Sequence, residues 1–156
     1  MTQRHLERAG AVTETRLLVA NGPGLAEPTG DVTLQRIHES CSALCEALGV
    51  GLDFRQTDDV DELSRWLVTG QSEFAAIIIN PVAPTLAPIT DLKKCHIAMA
   101  ALQKPAVEVH LANMFDAAAP ASKPLPGQDG SLGFVCGLGV NGYLLAIKAM
   151  TRRLSS

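Results

Sequence analysis

Residues 74–79 read Phe-Ala-Ala-Ile-Ile-Ile, apolar at every position, and the run stops at Asn80-Pro81. A strand with no polar face has to be covered on both sides. That is the situation of a central strand in a parallel sheet sandwiched between helices. Parallel neighbours also need long crossovers, which are usually helical. This one run therefore predicts an α/β chain, and the remaining segments can be tested against it.

They alternate as expected. Arg16 to Ala20 (RLLVA) reads as a short buried strand ending at Asn21-Gly22-Pro23, a turn signal. Asp31 or Thr33 can cap a helix with apolar positions at Leu34, Ile37, Cys41, Leu44, Cys45 and Leu48, closed by Gly49. Val50 to Arg55 is a second strand. Asp58 or Asp59 opens a second helix with Val60, Leu63, Trp66 and Leu67 on one face, Trp66 reading as core. A proline-broken loop after Asn80 leads to a helix around Thr90 to Leu102. Ala106 to His110 and Leu132 to Cys136 are further strands, and Val140 to Leu154 is a final amphipathic helix. The Ala-, Pro- and Gly-rich stretch Asp116 to Gly130 reads as a loop. The prediction is a three-layer α/β sandwich around a five-stranded parallel sheet. Residues 1–15 are expected to be a polar, flexible N-terminal arm and 16–156 a single domain.

Several function classes are excluded by composition. A formal net charge of −3 and scattered basic residues argue against a nucleic-acid surface. Arg152-Arg153, the one basic cluster, reads as a helix C-terminus favoured by the dipole. No apolar run reaches membrane-spanning length, and Met1 to Thr15 lacks the apolar stretch of a signal peptide. The expectation is a cytoplasmic protein. Cys41, Cys45, Cys95 and Cys136 show no C-x-x-C spacing and read as buried thiols. His5, His38 and His96 form no ligand pair, so no metal site is expected.

Open parallel sheets bind ligands beyond the carboxyl ends of their strands. Three strand ends here are polar: Asn21, Asn80, and the segment Glu108-Val109-His110-Leu111-Ala112-Asn113. One pocket could collect Asn21, Asn80, His110 and Asn113. Glu108 and His110 are two apart on a strand and share a face, so the carboxylate can fix the imidazole for proton transfer or oxyanion binding. A structural Glu–His pair at a sheet edge or subunit contact is the alternative. Gly137-Leu138-Gly139-Val140-Asn141-Gly142 matches G-x-G-x-x-G, but no strand with a ribose-binding acid follows. The glycines suit a tight turn and close helix–sheet packing, and no cofactor is expected.

In order and spacing, the segments LLVANGPGL, TLQRIHESCSALCEALGVGLDFRQTDDVDELSRWL, AAIIINPVA, PAVEVHLAN and GFVCGLGVNGYLLAIKAM resemble type II 3-dehydroquinate dehydratase across about Arg16 to Met150. The resemblance implies a flavodoxin-like fold and a homo-oligomer, a dodecamer built from trimers. It implies a cofactor- and metal-independent removal of water from 3-dehydroquinate through an enolate. By resemblance, His110 and Glu108 are the acid and its partner, and Asn80, Leu111, Ala112 and Asn21 contact substrate.

The chain also departs from that pattern. Family members read N-G-P-N-L-N-L-L-G-x-R-E-P-x-x-Y-G where this chain reads Asn21-Gly22-Pro23-Gly24-Leu25-Ala26-Glu27-Pro28-Thr29-Gly30. The lid is shorter, its arginine is gone, and Thr29 stands at the position of the tyrosine base. Leu86 replaces a substrate-contacting histidine, Ala112 a serine, and Asp116 to Ala121 lacks a second arginine. Threonine is far too weak an acid to supply a base near neutral pH, and losing general-base catalysis costs about 10²–10⁴-fold. Tyr143, the only tyrosine, reads as packing. The expectation is an inactive or strongly impaired homologue that retains a site for a small hydroxy acid. The alternative is an active dehydratase, or an enzyme on a related substrate, with its base drawn from Asp31, Asp116 or a neighbouring subunit.

Overall fold

The structure is a computed structural model that describes residues 15–24, 33–81, 89–111 and 132–156. Nine elements follow in the order β1 (Arg16–Asn21), α1 (Leu34–Leu48), β2 (Gly51–Gln56), α2 (Val60–Glu73), β3 (Ala76–Asn80), α3 (Ile89–Ala100), β4 (Ala106–His110), β5 (Leu132–Cys136) and α4 (Val140–Leu154). The strands form one parallel sheet in the order β2-β1-β3-β4-β5. With helices on both faces this is the flavodoxin-like three-layer sandwich. β1, β3 and β4 occupy the interior with β3 at the centre, as the apolar Ile77-Ile78-Ile79 run requires, and every residue of β3 is buried.

Strand alternation sorts the core into two layers. Leu18, Ala20, Ile77, Ile79 and Ala106 face α2 and α3, packing on Leu63, Leu67, Cys95 and Met99. Leu17, Val19, Ile78, Val107 and Val109 face α1 and α4, packing on Ile37, Cys41, Cys45, Tyr143 and Ile147. Trp66 lies partly buried against the first layer, with the Arg55 guanidinium over its ring at 5.6 Å.

The helix ends are chemically specified. Thr33 caps α1 by accepting from the Arg36 amide at 3.1 Å, and Gly49 closes the helix in the left-handed region. Asp59 caps α2, accepting from the Asp61 amide at 2.9 Å. Its neighbour Asp58 instead accepts from the Gly24 amide at 3.1 Å and from Gln56 at 2.8 Å, pinning the chain just beyond β1. Phe74 belongs to the end of α2, its N–H bonded to the Gly70 carbonyl at 2.9 Å, so β3 starts two residues later than the apolar run.

The glycine motif before α4 makes a turn. Gly139 has φ +56°, open to glycine and strained for other residues. A Cβ on Gly142 would sit 3.3 Å from Val109, so the helix lies close on the sheet there. Among the described residues no helix is long and apolar enough to cross a membrane.

Candidate functional site at the carboxyl ends of the strands

β1 and β3 run in register, so Asn21 and Asn80, their last residues, sit side by side. Both are buried, and both side chains turn to the α1/α4 face. There they meet Tyr143 of α4, which is fully buried. The Asn80 Nδ2–H donates to the Tyr143 hydroxyl at 2.9 Å. That hydroxyl donates to Asn21 Oδ1 at 2.7 Å. Asn21 Nδ2–H in turn donates to the Arg55 backbone carbonyl on β2 at 3.0 Å. Burial pushes the Tyr143 phenol well above its ordinary value, so the group is held neutral.

The backbone beneath is equally tied. The Gly22 amide donates to the Asn80 carbonyl at 2.8 Å, and the Thr57 amide to the Asn21 carbonyl at 2.9 Å. The Leu111 carbonyl, just past β4, accepts from the Gly139 amide at 3.1 Å. The entry to α4 is thereby fixed to the end of β4.

Glu108 and His110 lie on the other face. Ile79 pairs with Glu108 in register, and Glu108 follows Ala106 on the α2/α3 side. Glu108 is fully buried, and the His110 ring keeps 7% of its surface in solvent. Its Nε2–H donates to Glu108 Oε1 at 2.5 Å. The pair has Phe134 and Cys136 of β5 as its lateral neighbours. Phe134 is 47% exposed.

The expected polar residues are therefore split by the sheet. Asn21 and Asn80 form one buried group with Tyr143, and Glu108 and His110 form another on the opposite face. Both groups lie near the rim where β3 and β4 end. Leu111 sits at that rim, half-buried. Ala112, Asn113, Thr29, Asp31, Leu86 and the 116–130 loop lie outside the described residues. Tyr143 packs as expected but also bonds to both asparagines, a link missing from the sequence reading. The available signal was chemical, because a buried tyrosine hydroxyl needs a partner. Among the described residues no cluster of three or more acidic, histidine or cysteine side chains could hold a metal ion.

Residues 15–151 match the model of the family described as Dehydroquinase class II. The chain is 35% identical over 147 residues to "3-dehydroquinate dehydratase 2" of Pseudomonas aeruginosa, covering 90% of this chain and 96% of that one. It is 33% identical over 151 residues to a 3-dehydroquinate dehydratase of Aliivibrio fischeri, covering 92% and 98%. Among solved structures, a 3-dehydroquinate dehydratase-like protein from Bifidobacterium longum aligns with TM-score 0.64 and 27% identity, over 91% of this chain and 99% of that one. A type II dehydroquinase from Propionibacterium acnes shares the fold with TM-score 0.68 at 23% identity, covering 89% and 99%.

Proposed function

Because this chain belongs to the type II 3-dehydroquinate dehydratase family, we propose that it takes a small hydroxy acid of the 3-dehydroquinate class at the strand ends and dehydrates it far more slowly than a full family member, or not at all. The observation that carries the reading is the state of Tyr143. Removing water from a hydroxy ketone needs a base on one carbon and an acid for the leaving hydroxyl. The acid half of the reading is supported by the 2.5 Å bond with which Glu108 holds the His110 ring. For the base half, no tyrosine among the described residues is free to serve. The one tyrosine of the chain is buried, its hydroxyl engaged by two asparagines and its proton held by burial. It cannot stand in for the tyrosine that Thr29 replaces.

The second reading is an active 3-dehydroquinate dehydratase of the shikimate or quinate pathway, with an unusual base. The names of the relatives at 33–35% identity over nearly the whole chain favour it, as does the intact Glu108–His110 pair. One assay separates the two. Protein made in a host lacking its own dehydroquinase is given 3-dehydroquinate, and the conjugated enone product is followed by absorbance. The first reading expects a rate at least about 10²-fold below that of a full family member run in parallel. Robust turnover abolished by His110→Ala establishes the second.

A homo-oligomer goes with either reading, and the dodecamer is the form we propose. Phe134, Leu138 and Leu145, each about half exposed around β5 and α4, are apolar surface that a neighbouring copy would cover. Light scattering at micromolar concentration tests it, and a monomer there would end the proposal.

A further inference from the structure

The bonds joining Asn80, Tyr143, Asn21 and Arg55 have only one possible direction. The Arg55 backbone carbonyl can only accept, so Asn21 must present Nδ2 to it and Oδ1 to Tyr143. Tyr143 has a single hydroxyl hydrogen, and Asn21 Oδ1 takes it. The phenol oxygen can therefore only accept from Asn80, which must present Nδ2. This fixes an amide orientation that geometry at one residue alone leaves open. Asn80 Oδ1 is consequently turned away from Tyr143. An amide that donates through its N–H also becomes a better acceptor at its oxygen, because bonds in a chain polarise one another.

We propose that the Tyr143 hydroxyl sets Asn80 to read a hydroxyl group on the ligand, which makes Tyr143 a positioning residue for substrate and favours hydroxylated over deoxygenated ring acids at this site. The proposal rests on the hydroxy-acid site described above and adds what orients its reader. An acceptor oxygen at Asn80 rewards an O–H donor. It gives nothing to an apolar ring edge and repels a carboxylate or ketone oxygen. Phenylalanine at 143 would leave the Asn80 amide able to turn over and offer N–H where the ligand needs an acceptor.

The test uses two probes, shikimate and 1-cyclohexene-1-carboxylate, which share ring and carboxylate and differ by three hydroxyls. Binding to the full chain is measured by calorimetry for wild type and Tyr143→Phe. The expected result is a loss of about 2- to 10-fold in shikimate affinity, the value of one neutral hydrogen bond, with cyclohexenecarboxylate unchanged. Equal losses for both acids would make Tyr143 merely structural and overturn the proposal, as would no loss for either. Wild-type protein that binds neither acid refutes the hydroxy-acid site itself, a failure visible without any variant. A second measurement does not depend on the variant folding. Tyr143 is the only tyrosine, so biosynthetic 3-fluorotyrosine labels this site alone. Its ¹⁹F resonance should shift on adding shikimate and stay in place with saturating cyclohexenecarboxylate. An unmoved resonance with shikimate bound overturns the proposal.

Discussion

Gly22→Ala should be among the most damaging single-methyl substitutions available in this chain. A Cβ at position 22 would lie 1.8 Å from the Pro81 carbonyl oxygen, 2.6 Å from its carbon and 3.1 Å from a Leu63 methyl. Two of these are backbone atoms, which cannot swing aside as a side-chain tip can. Retreat of the 22 backbone would stretch the 2.8 Å bond from its amide to the Asn80 carbonyl. Overpacking of this kind costs about 1–3 kcal/mol and sometimes more. The weakened buried bond adds about 0.5–1.5 kcal/mol, so about 2–4 kcal/mol is expected. Urea unfolding at fixed protein concentration measures it, and with slopes of about 1–3 kcal/mol per molar the midpoint should fall by about 1–2 M. Gly133→Ala on β5 is the control, because its Cβ would meet nothing within 4 Å. There the midpoint should hold or rise slightly, since alanine restricts the unfolded chain. Equal midpoints for the two variants would refute the reasoning.

Alkaline titration should show Tyr143 silent until the fold fails. Its folded value lies above the unfolded one, so its contribution is fully present below about pH 10 and lost as pH rises from there. Phenolate absorbance should therefore appear together with loss of circular dichroism, and a reversible phenolate in folded protein would contradict this. Burial, aided by its neighbour Cys45, pushes the Cys41 thiol up to about 12, and burial likewise raises Cys45 and Cys95. At pH 8 a thiol reagent should label only the half-buried Cys136 in native protein and all four cysteines after denaturation; fast native labelling of Cys41 would count against the packing. Glu108→Ala should cost about 2–4 kcal/mol by stranding His110 beside a void, and Glu108→Gln markedly less because an acceptor oxygen remains. Indistinguishable unfolding curves for the two would show that the pair contributes no bond.

The strands and helices were legible because their apolar patterns are strong. Phe74 to Ile79 marked the central strand, and the spacing of Ile37, Cys41 and Cys45 marked the buried stripe of α1. Boundaries were less legible where caps compete. Thr33 rather than Asp31 caps α1, and Asp59 rather than Asp58 caps α2, since Asp58 is occupied by Gly24 and Gln56. The polar strand ends were legible as residues but not as an arrangement. Parity puts Glu108 and His110 on one face, yet whether Asn80 shares that face depends on how β3 and β4 are registered. Register comes from tertiary packing and not from spacing along the chain. The Tyr143 link was hidden for a related reason, as nothing in local sequence joins residues 122 positions apart.

That separation has a consequence for how the protein is made. A chain emerges from the ribosome N-terminus first, so β1 and its Asn21 exist long before α4 does. Until residue 143 is out, Asn21 and Asn80 have no phenol between them, and Leu111 has no Gly139 amide to close the end of β4. The rim at the carboxyl ends of the strands therefore cannot set during synthesis of its own strands. It is completed late by a helix far along the sequence, and such distant pairings fold slowly. Nascent chains stalled before α4 should hold β1 and β3 with an unfinished rim, exposing to chaperones and proteases the end of the molecule that the mature fold keeps buried.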